Sequence, residues 1–363
     1  MSINRREFLA GAAFAAAVGG VVEKTKGDSV SELEAKPIYG KKTHYVGLDP
    51  RVPGTTTKIF GKKPFKVMFI GAHPDDADFQ AGSIAHKVCK AGGEAVMVSC
   101  CNGDKGHQWM SSPALAARRY AETQASAKVL GVNKYLVLGY HDCEIQATME
   151  VRNRITRLIR QEAPNLLITH RCSDYHADHR AVGLAVRDAA YLIGVPLYCP
   201  ETPVPETLPF IMYGGDGFSE PRPFRADLMV SDDDVLDVLL EAWACHESQE
   251  FEWLPPERGF DPAVDIPPAS DHAGRIAFLR DKLMPGRPKG NGRRHRKELD
   301  EAWGGKGPKY AEVFELCEYG RPPEPKEIDF LRSIGAKWVG PEPKIFKKGE
   351  SVKSQATVVG SAK

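Results

Sequence analysis

Short apolar runs alternate with longer segments of helical spacing, and this alternation constrains the fold more than any other feature. Four runs have the length and composition of buried strands: residues 66–70, 94–101, 135–138 and 166–169. Segments with apolar residues at helical periodicity separate them. Such an alternation predicts an α/β fold, a doubly wound, mostly parallel, Rossmann-like sheet with helices on both faces. No Gly-x-Gly-x-x-Gly follows the first run, so a dinucleotide is not expected.

A polar cluster follows directly after the first predicted strand. The run ends in Gly71-Ala-His-Pro-Asp-Asp-Ala-Asp78. Pro74 stops the strand and holds His73 out of the α region, so His73, Asp75 and Asp76 share one tight turn. One imidazole and two carboxylates in a turn suit a divalent metal together with a general base.

A second polar cluster follows the fourth predicted strand, in the segment 170–180. His176 and His179 are three residues apart and share a face if a helix begins there. Ligands gather at the carboxyl ends of strands in a parallel sheet, so one fold can bring both clusters together. Two His and one Asp with an open position are typical of a catalytic rather than a structural zinc site.

The two clusters resemble the motifs of the LmbE-like, or PIG-L, family of zinc-dependent N-deacetylases. The matching segments are Ala72-His-Pro-Asp-Asp76 and His176-Ala-Asp-His179, and the resemblance extends more weakly over residues 64–250. One departure is Ala77, since the family usually has Glu after the second Asp. Asp78 follows Ala77 and is the candidate to compensate.

The resemblance implies a role for each residue of the two motifs. His73, Asp76 and His179 would hold Zn²⁺, although iron or manganese can bind the same set. Asp75 would act as the general base that deprotonates metal-bound water.

The same resemblance assigns His176 and Asp178 to catalysis. His176 would stabilise the tetrahedral oxyanion and protonate the leaving amine. Asp178 would orient His176 or His179, and the alternative that it caps the following helix stays open.

Two further residues, Arg119 and Asp142, are predicted to bind substrate hydroxyls at the rim of the pocket. For Arg119 the alternative is a salt bridge with Glu122, one helical turn away. Both assignments come from weaker fragments of the resemblance than the two metal motifs do.

The implied function is hydrolysis of a carbon–nitrogen bond other than a peptide bond. The enzyme would remove the N-acetyl group from an amino sugar or its conjugate, so its partner is a small molecule or glycan that bears an N-acyl group. The alternatives are an amidase that acts on a thiol or amino-acid conjugate, or a non-catalytic carbohydrate-binding module of the same fold. A two-metal phosphoesterase would need more carboxylates at the site.

The amino terminus resembles a twin-arginine export signal. Asn4-Arg-Arg-Glu-Phe-Leu9 precedes an Ala-rich apolar run that ends near residue 22. This run is shorter than the ~20 residues that a membrane span needs, so no stable span is predicted. The signal implies a periplasmic or secreted protein.

Changes in composition divide the chain. The predicted parts are the export signal (1–22), a linker or arm (23–63), the catalytic domain (64–260), an irregular, loop-rich C-terminal extension (261–347) and a disordered tail (348–363).

Charge and cysteines exclude several other classes. The 363 residues carry a net charge of +1, which predicts neither a nucleic-acid binder nor a membrane-surface binder. The eight Cys contain no Cys-x-x-Cys, so no zinc ribbon or thioredoxin motif is expected. Most of them are predicted to be buried free thiols. The sequence leaves open whether the chain forms a homo-oligomer.

Overall fold

One eight-stranded sheet organises the part of the chain that the structure, a computed structural model, describes: residues 64–283 and 288–341. The strands are β1 (Lys66–Gly71), β2 (Glu94–Cys101), β3 (Lys134–Tyr140), β4 (Leu166–Thr169), β5 (Phe210–Gly214), β6 (Leu228–Ser231), β7 (Ala311–Leu316) and β8 (Lys337–Trp338). The helices are α1 (Asp76–Lys90), α2 (Ser112–Leu130), α3 (Met149–Glu162), α4 (Ala177–Leu192), α5 (Leu236–Ala244), α6 (Leu254–Glu257), α7 (His272–Phe278), α8 (Pro288–Arg294), α9 (Arg296–Ala302) and α10 (Pro325–Ser333). Two π-helical turns occupy Ser248–Trp253 and Leu279–Leu283.

The strand order in the sheet is β3-β2-β1-β4-β5-β7-β6-β8. The strands β1 to β5 are parallel to one another, whereas β7 runs antiparallel to β5 and β6, and β8 runs antiparallel to β6. The predicted α/β class with a mostly parallel sheet is thus confirmed. The antiparallel strands are confined to one side of the sheet.

Alternate residues of β1 pack into two different cores. Val67 and Phe69 belong to the core that contains α1 and α5 residues, while Met68 and Ile70 belong to the core that contains α3 and α4 residues. Successive side chains of a strand point to opposite faces, and a strand buried on both faces is apolar throughout. The helices therefore cover both faces of the sheet, as predicted.

The C-terminal segment differs from the predicted irregular extension. Residues 311–316 form β7, which lies between β5 and β6 in the main sheet, and α8 to α10 surround it in the chain. The boundary placed at residue 260 therefore divides a single sheet. The composition of residues 311–316 did not predict a strand, because Glu312 and Glu315 interrupt its apolar pattern. The partners of these two Glu are far away in the sequence.

The Pro- and Gly-rich segment 196–223 contains β5, which was not among the four predicted strands. Phe210–Gly214 pairs in parallel with β4 and in antiparallel with β7. The predicted export signal, the arm up to residue 63 and the tail after 347 lie outside the described residues. Within the described residues, no helix is both long and apolar enough to cross a bilayer.

All eight cysteines lie in the described part of the chain, and all are free thiols. Cys100, Cys101, Cys199 and Cys317 are buried, whereas Cys143 is exposed. The prediction of buried free thiols therefore holds for about half of the set.

Candidate active site

The two predicted clusters meet at the carboxyl edge of the parallel strands. β1 and β4 are neighbours in register, so the turn after Gly71 lies beside the segment after Thr169. Gly71 is needed there because a Cβ at this position would lie 2.8 Å from Cβ of Asp76 and 2.6 Å from the Phe69 ring. The absent side chain lets the turn fold tightly back onto the first turn of α1.

Three predicted metal ligands converge at this edge: His73, Asp76 and His179. His73 Nδ1 lies 3.2 Å from His179 Nε2, and 3.6 Å from Asp76 Oδ2. His179 Nε2 lies 3.4 Å from Asp76 Oδ1. Donor atoms around a tetrahedral zinc ion at 2.0–2.1 Å are separated by about 3.3 Å. The two imidazole nitrogens have this spacing, and each faces a different oxygen of Asp76, so the three side chains can surround one divalent ion.

Each imidazole is fixed by a carboxylate on its other nitrogen. His73 Nε2 lies 3.0 Å from Asp178 Oδ2, and His179 Nδ1 lies 3.0 Å from Asp174 Oδ1. This arrangement is typical of metal-binding His, whose second nitrogen usually donates to a carboxylate. Asp178 was predicted to orient His176 or His179, but its carboxylate contacts His73, and it is Asp174 that contacts His179. Only the backbone N–H of Asp178 contacts His176. Nor does Asp178 cap α4, since the N-cap residue is His176.

Neighbouring charges shift the pKa values of the triad, the name used here for His73, Asp76 and His179. Burial favours the neutral imidazole of His73, but Asp178 and Asp76 outweigh burial and raise its pKa to about 9. Burial likewise opposes charge on His179, while Asp76 and Asp174 raise its pKa to about 10. Burial resists ionisation of Asp76, yet His179 and His170 hold its pKa well below the usual range. The carboxylates thus create a pocket that favours positive charge.

Asp76 uses its two oxygens differently. Oδ2 accepts hydrogen bonds from the backbone N–H of Ala72 (3.0 Å) and of His73 (2.7 Å), while Oδ1 faces His179. The two backbone donors hold the carboxylate in one orientation. His73, Asp76 and His179 are therefore brought together with a fixed geometry.

His170 also belongs to this site, although its role was not predicted. Its ring stacks on His179 with centroids 4.2 Å apart, and its Nε2 lies 3.2 Å from Asp76 Oδ2. Asp76, His170 and His179 offer donor atoms within 4.8 Å of one another, as do His73, His176 and His179. The site can hold a metal ion with more than one choice of ligands. The signal for His170 was its position as the first residue after β4.

Asp75 faces away from the triad toward a buried guanidinium. Arg119 Nη2 lies 3.1 Å from Asp75 Oδ2, and Arg119 Nη1 lies 3.6 Å from Asp142 Oδ2. Arg119 does not pair with Glu122, which instead accepts hydrogen bonds from the backbone N–H and hydroxyl of Ser248. Asp142 also accepts a 2.9 Å hydrogen bond from the Gly103 N–H.

The proton of His176 can be located from its contacts. Its Nδ1 accepts a 3.2 Å hydrogen bond from the Asp178 N–H, so the neutral ring carries its proton on Nε2. Burial and the positive charges of His73 and His179 lower the pKa of His176, which favours this neutral form. A neutral imidazole with a fixed tautomer is suited to donate a hydrogen bond to a developing oxyanion.

Two pockets open on either side of the triad and share Asp76, Phe79, Tyr175 and His179 as common lining. The first, the Arg119 pocket, also contains His73, Asp75, Lys105, Arg119, Asp142, Cys143, His176, Gln249 and Trp253. The second, the Arg294 pocket, also contains Gln80, Asp174, Asp216, Phe218, Asn291 and Arg294. The predicted substrate residues Arg119 and Asp142 therefore line the first pocket.

Asp78 does not replace the Glu that the family usually has at the position of Ala77. Its side chain is buried and contacts the hydroxyls of Ser126 and Tyr135 (2.8 Å for the latter). His246 Nε2 lies 3.2 Å from the same carboxylate. Asp78 thus joins α1, α2 and β3 below the site, while Ala77 packs in the apolar core.

Comparison with known proteins agrees with this site. Residues 68–190 match the PIG-L family, described as GlcNAc-PI de-N-acetylase. The chain is 31% identical over 189 residues to a diacetylchitobiose deacetylase of Thermococcus kodakarensis, an overlap that covers 51% of this chain and 70% of the relative. It is 24% identical over 246 residues to the 1D-myo-inositol 2-acetamido-2-deoxy-alpha-D-glucopyranoside deacetylase of Kineococcus radiotolerans, covering 53% of this chain and 68% of the relative.

Among solved structures, the N,N'-diacetylchitobiose deacetylase from Pyrococcus horikoshii has the same fold. The TM-score is 0.55 at 23% identity, over 72% of this chain and 87% of that chain. With these relatives, the class is an enzyme that hydrolyses carbon–nitrogen bonds other than peptide bonds. More specifically, the chain belongs to the PIG-L, or LmbE-like, family of deacetylases.

Proposed function

We propose that this protein is a metal-dependent hydrolase that removes the N-acetyl group from an amino sugar or its conjugate. The observation that carries this proposal is the convergence of His73, Asp76 and His179: the two imidazole nitrogens lie 3.2 Å apart, and each lies 3.4–3.6 Å from one oxygen of Asp76. The two relatives compared above act, by their names, on acetylated amino sugars. Both are deacetylases, which agrees with an amide as the bond that is broken.

Zinc is the default metal for this set of two imidazoles and a carboxylate, with other divalent ions as alternatives. A bound ion would supply Lewis acidity toward the amide carbonyl and would lower the pKa of water at the site. His73 Nδ1, one oxygen of Asp76 and His179 Nε2 would hold it. Asp178 and Asp174 keep the two imidazoles in the required tautomers.

Asp75 is the proposed general base. It is adjacent in sequence to Asp76, but its carboxylate pairs with Arg119 and lines the Arg119 pocket. It is therefore free of the triad while remaining within the same cleft. The carboxylate would take a proton from the attacking water and deliver it to the amine nitrogen as the carbon–nitrogen bond breaks. This proposal moves protonation of the amine from His176 to Asp75, because the neutral His176 has only its Nε2 proton, which would bond the oxyanion.

His176 is the proposed oxyanion donor. Its Nε2–H is available because Nδ1 is committed to the Asp178 N–H. Hydrogen bonding from Nε2 would stabilise the negative charge that develops on the acetyl oxygen. Arg119 and Asp142, which line the same pocket, would bind hydroxyls of the sugar ring.

The test is acetate release from a panel of N-acetylated amino sugars by the zinc-loaded protein. A chelated sample and an Asp75→Ala variant serve as controls, and both are expected to lose activity. Acetate release that persists in the chelated sample would contradict a metal-dependent reaction. Stoichiometric zinc binding without acetate release would exclude these sugars, and the panel would then extend to amides of thiol and amino-acid conjugates.

We also propose export of the folded protein by a twin-arginine route, based on the sequence alone. The pair Arg5-Arg6 precedes the apolar run, and Arg5→Lys with Arg6→Lys keeps the charge while removing the guanidinium pair. We expect the wild-type chain, produced in a bacterial host, to reach the periplasmic fraction and the double variant to remain in the cytoplasm. The same distribution of the wild-type chain and the double variant between the two fractions would exclude this route.

A further inference from the structure

Cys143 is an exposed thiol that none of the roles proposed above uses, although it lines the Arg119 pocket. Its sulfur, an imidazole nitrogen of His176 and a carboxylate oxygen of Asp178 lie within 4.8 Å of one another. These three residues, called here the Cys143 site, offer one sulfur, one nitrogen and one oxygen donor. None of them belongs to the triad, so the Cys143 site and the triad do not share a ligand.

The carboxylate of Asp178 has one oxygen left for an ion. Its Oδ2 accepts a 2.7 Å hydrogen bond from the Cys143 N–H and lies 3.0 Å from His73 Nε2. Its Oδ1 is buried, and among the residues that the structure describes it has no hydrogen-bond partner. Asp178 as a whole is only 1% exposed. A buried carboxylate oxygen without a partner is costly, and an ion bound to it would remove that cost.

The backbone of Cys143 is held in an unusual conformation beside Asp178. Its φ of +63° lies in the left-handed region, where a side chain costs free energy and glycine is favoured. Residues held in this region cluster at functional sites. The hydrogen bond from the Cys143 N–H to Asp178 fixes the turn against the start of α4, where His176 is the N-cap. The turn that carries the thiol is therefore tied to the segment that carries the other two donors.

The three donors select the class of ion. Thiolate and imidazole suit Zn²⁺ and other thiophilic ions, whereas Mg²⁺ and Ca²⁺ prefer oxygen ligands. Cys143 is exposed and borders the pocket, so water can complete the coordination of an ion there. We propose that the Cys143 site binds a second zinc ion, in addition to the ion proposed for the triad. Binding releases the thiol proton to solvent, because the thiolate is the form that ligates zinc.

A second thiol, Cys101, does not offer an equivalent site. Its sulfur lies 3.8 Å from Asp178 Oδ2, and the donor atoms of His73, Cys101 and Asp178 also lie within 4.8 Å of one another. Cys101 is buried, however, and His73 faces His179 with Nδ1 and Asp178 with Nε2. Both nitrogens of His73 are thus engaged, so the thiol that remains for a second ion is that of Cys143.

A zinc ion in the Cys143 site blocks the proposed role of His176. Nδ1 of His176 accepts a hydrogen bond from the Asp178 N–H, so Nε2 is the nitrogen left for an ion. Its lone pair becomes available only when the ring proton moves from Nε2 to Nδ1, which breaks that hydrogen bond. The second ion therefore binds more weakly than the first, and it removes the Nε2 proton that the oxyanion needs. The expected result is inhibition by zinc in excess of one ion per chain, and this consequence, unlike the binding itself, rests on the proposed function.

The test of binding is titration of the full, metal-free chain with Co²⁺, which substitutes for zinc and absorbs in the near ultraviolet when a thiolate binds it. The triad contains no sulfur, so an ion bound there does not give this absorption. We expect the absorption to appear with the second equivalent of Co²⁺ and to be lost in Cys143→Gly, which removes the thiol and suits the positive φ of the turn. Cys89→Ser is the matched control and should retain it, since the Cys89 thiol lies at the far end of α1 and contacts Asn133.

Absence of this absorption in the wild type, or its survival in Cys143→Gly, would overturn the inference. Turnover gives a second measurement, with each protein compared with its own acetate release at one zinc ion per chain. Filling the Cys143 site of the wild type should lower kcat by about 10²–10³, the effect of losing one oxyanion donor, whereas Cys143→Gly should be insensitive to the excess zinc. Equal sensitivity of the two proteins would overturn inhibition through this site. If no sugar releases acetate, the proposed function fails, while the Co²⁺ spectra decide separately whether the Cys143 site binds metal.

Discussion

His170 stacks face to face on His179, with ring centroids 4.2 Å apart and ring planes within 2° of each other. The same imidazole lies 3.2 Å from Asp76 Oδ2, and the side-chain amide of Gln80 lies 3.2 Å from its Nδ1. His170 therefore supports two of the three proposed ligands at once. A residue that orients ligands in this way contributes to metal affinity.

His170→Phe should weaken zinc binding by about 10–100-fold, the usual effect of losing a residue that supports metal ligands. Phe keeps a ring for stacking on His179 but cannot bond Asp76. Competition with a chelator of known affinity measures the change. His272→Phe is the matched control, since His272 is exposed and contacts Glu241 away from the site. Equal zinc affinity in all three proteins would show that His170 does not support the ligands.

Asp75→Asn and Asp76→Asn should both lose activity, but for different reasons, although the two residues are adjacent. Asp75→Asn should lower kcat by about 10²–10⁴, the typical contribution of a general base, and leave zinc content unchanged. Asp76→Asn should lose zinc together with activity, because Asp76 faces His179 inside the triad. Acetate release and elemental analysis of the same preparations separate the two effects. Loss of zinc in Asp75→Asn would contradict the assigned roles.

Gly103→Ala should impair activity through Arg119. Gly103 has φ of +76°, and a Cβ there would lie 2.5 Å from Cδ of Arg119. Gly131→Ala is a matched control, because Gly131 has φ of +71° and no atom within 4 Å of its Cβ position. Both variants should lose about 1–2 kcal/mol of stability from backbone strain. Only Gly103→Ala should also lower kcat/KM, and an equal effect of both on activity would contradict a role for Arg119.

A buried pair of carboxyl groups should make stability fall as pH rises. Glu312 accepts hydrogen bonds from the N–H of Ser83 (2.7 Å) and of Ile84 (2.9 Å), just after the non-helical residue Ala81 in α1. Asp232, whose side chain is buried, lies beside Glu312. Burial raises the pKa of Asp232 to about 7, against the effects of Ser83 and Lys87.

A carboxyl group whose pKa is higher in the folded state binds its proton more tightly there than in the unfolded chain. Its contribution to stability is therefore full below pH ~4 and is lost as pH rises toward ~7. Asp232→Asn should flatten this part of the stability curve, measured by urea unfolding from pH 4 to pH 8. Asp237→Asn, an exposed carboxylate at the start of α5, should retain the slope. An unchanged slope in Asp232→Asn would assign the effect to other groups.

Much of the site was predictable because its residues follow two apolar strands. His73, Asp75 and Asp76 come after β1, while His176 and His179 come after β4, and adjacent parallel strands end at one edge. Asp174 was not predicted as the partner of His179, because nothing local shows which carboxylate reaches which imidazole. The pairing depends on the path of the chain between residues 170 and 177.

β7 illustrates what local sequence cannot reveal. Glu312 and Glu315 interrupt its apolar pattern, yet both are buried. Glu312 caps a break in α1, and Glu315 pairs with Arg171 and Arg222 and accepts a hydrogen bond from the Arg225 N–H. These partners are distant in sequence and are not visible locally. A prediction from local strand propensity therefore treats the two Glu as evidence against a strand. β5 was not predicted because the Pro and Gly residues on both sides of its short apolar run are typical of a loop.

The position of β7 also limits the order in which the chain can complete its sheet during synthesis. β6 pairs in the described sheet with β7 and β8, both of which leave the ribosome long after it. Until residues 311–316 arrive, β5 and β6 each present an unpaired edge, the kind of edge that other chains can join. A nascent chain of this protein therefore carries its active-site motifs early but remains prone to association until its last strands are made.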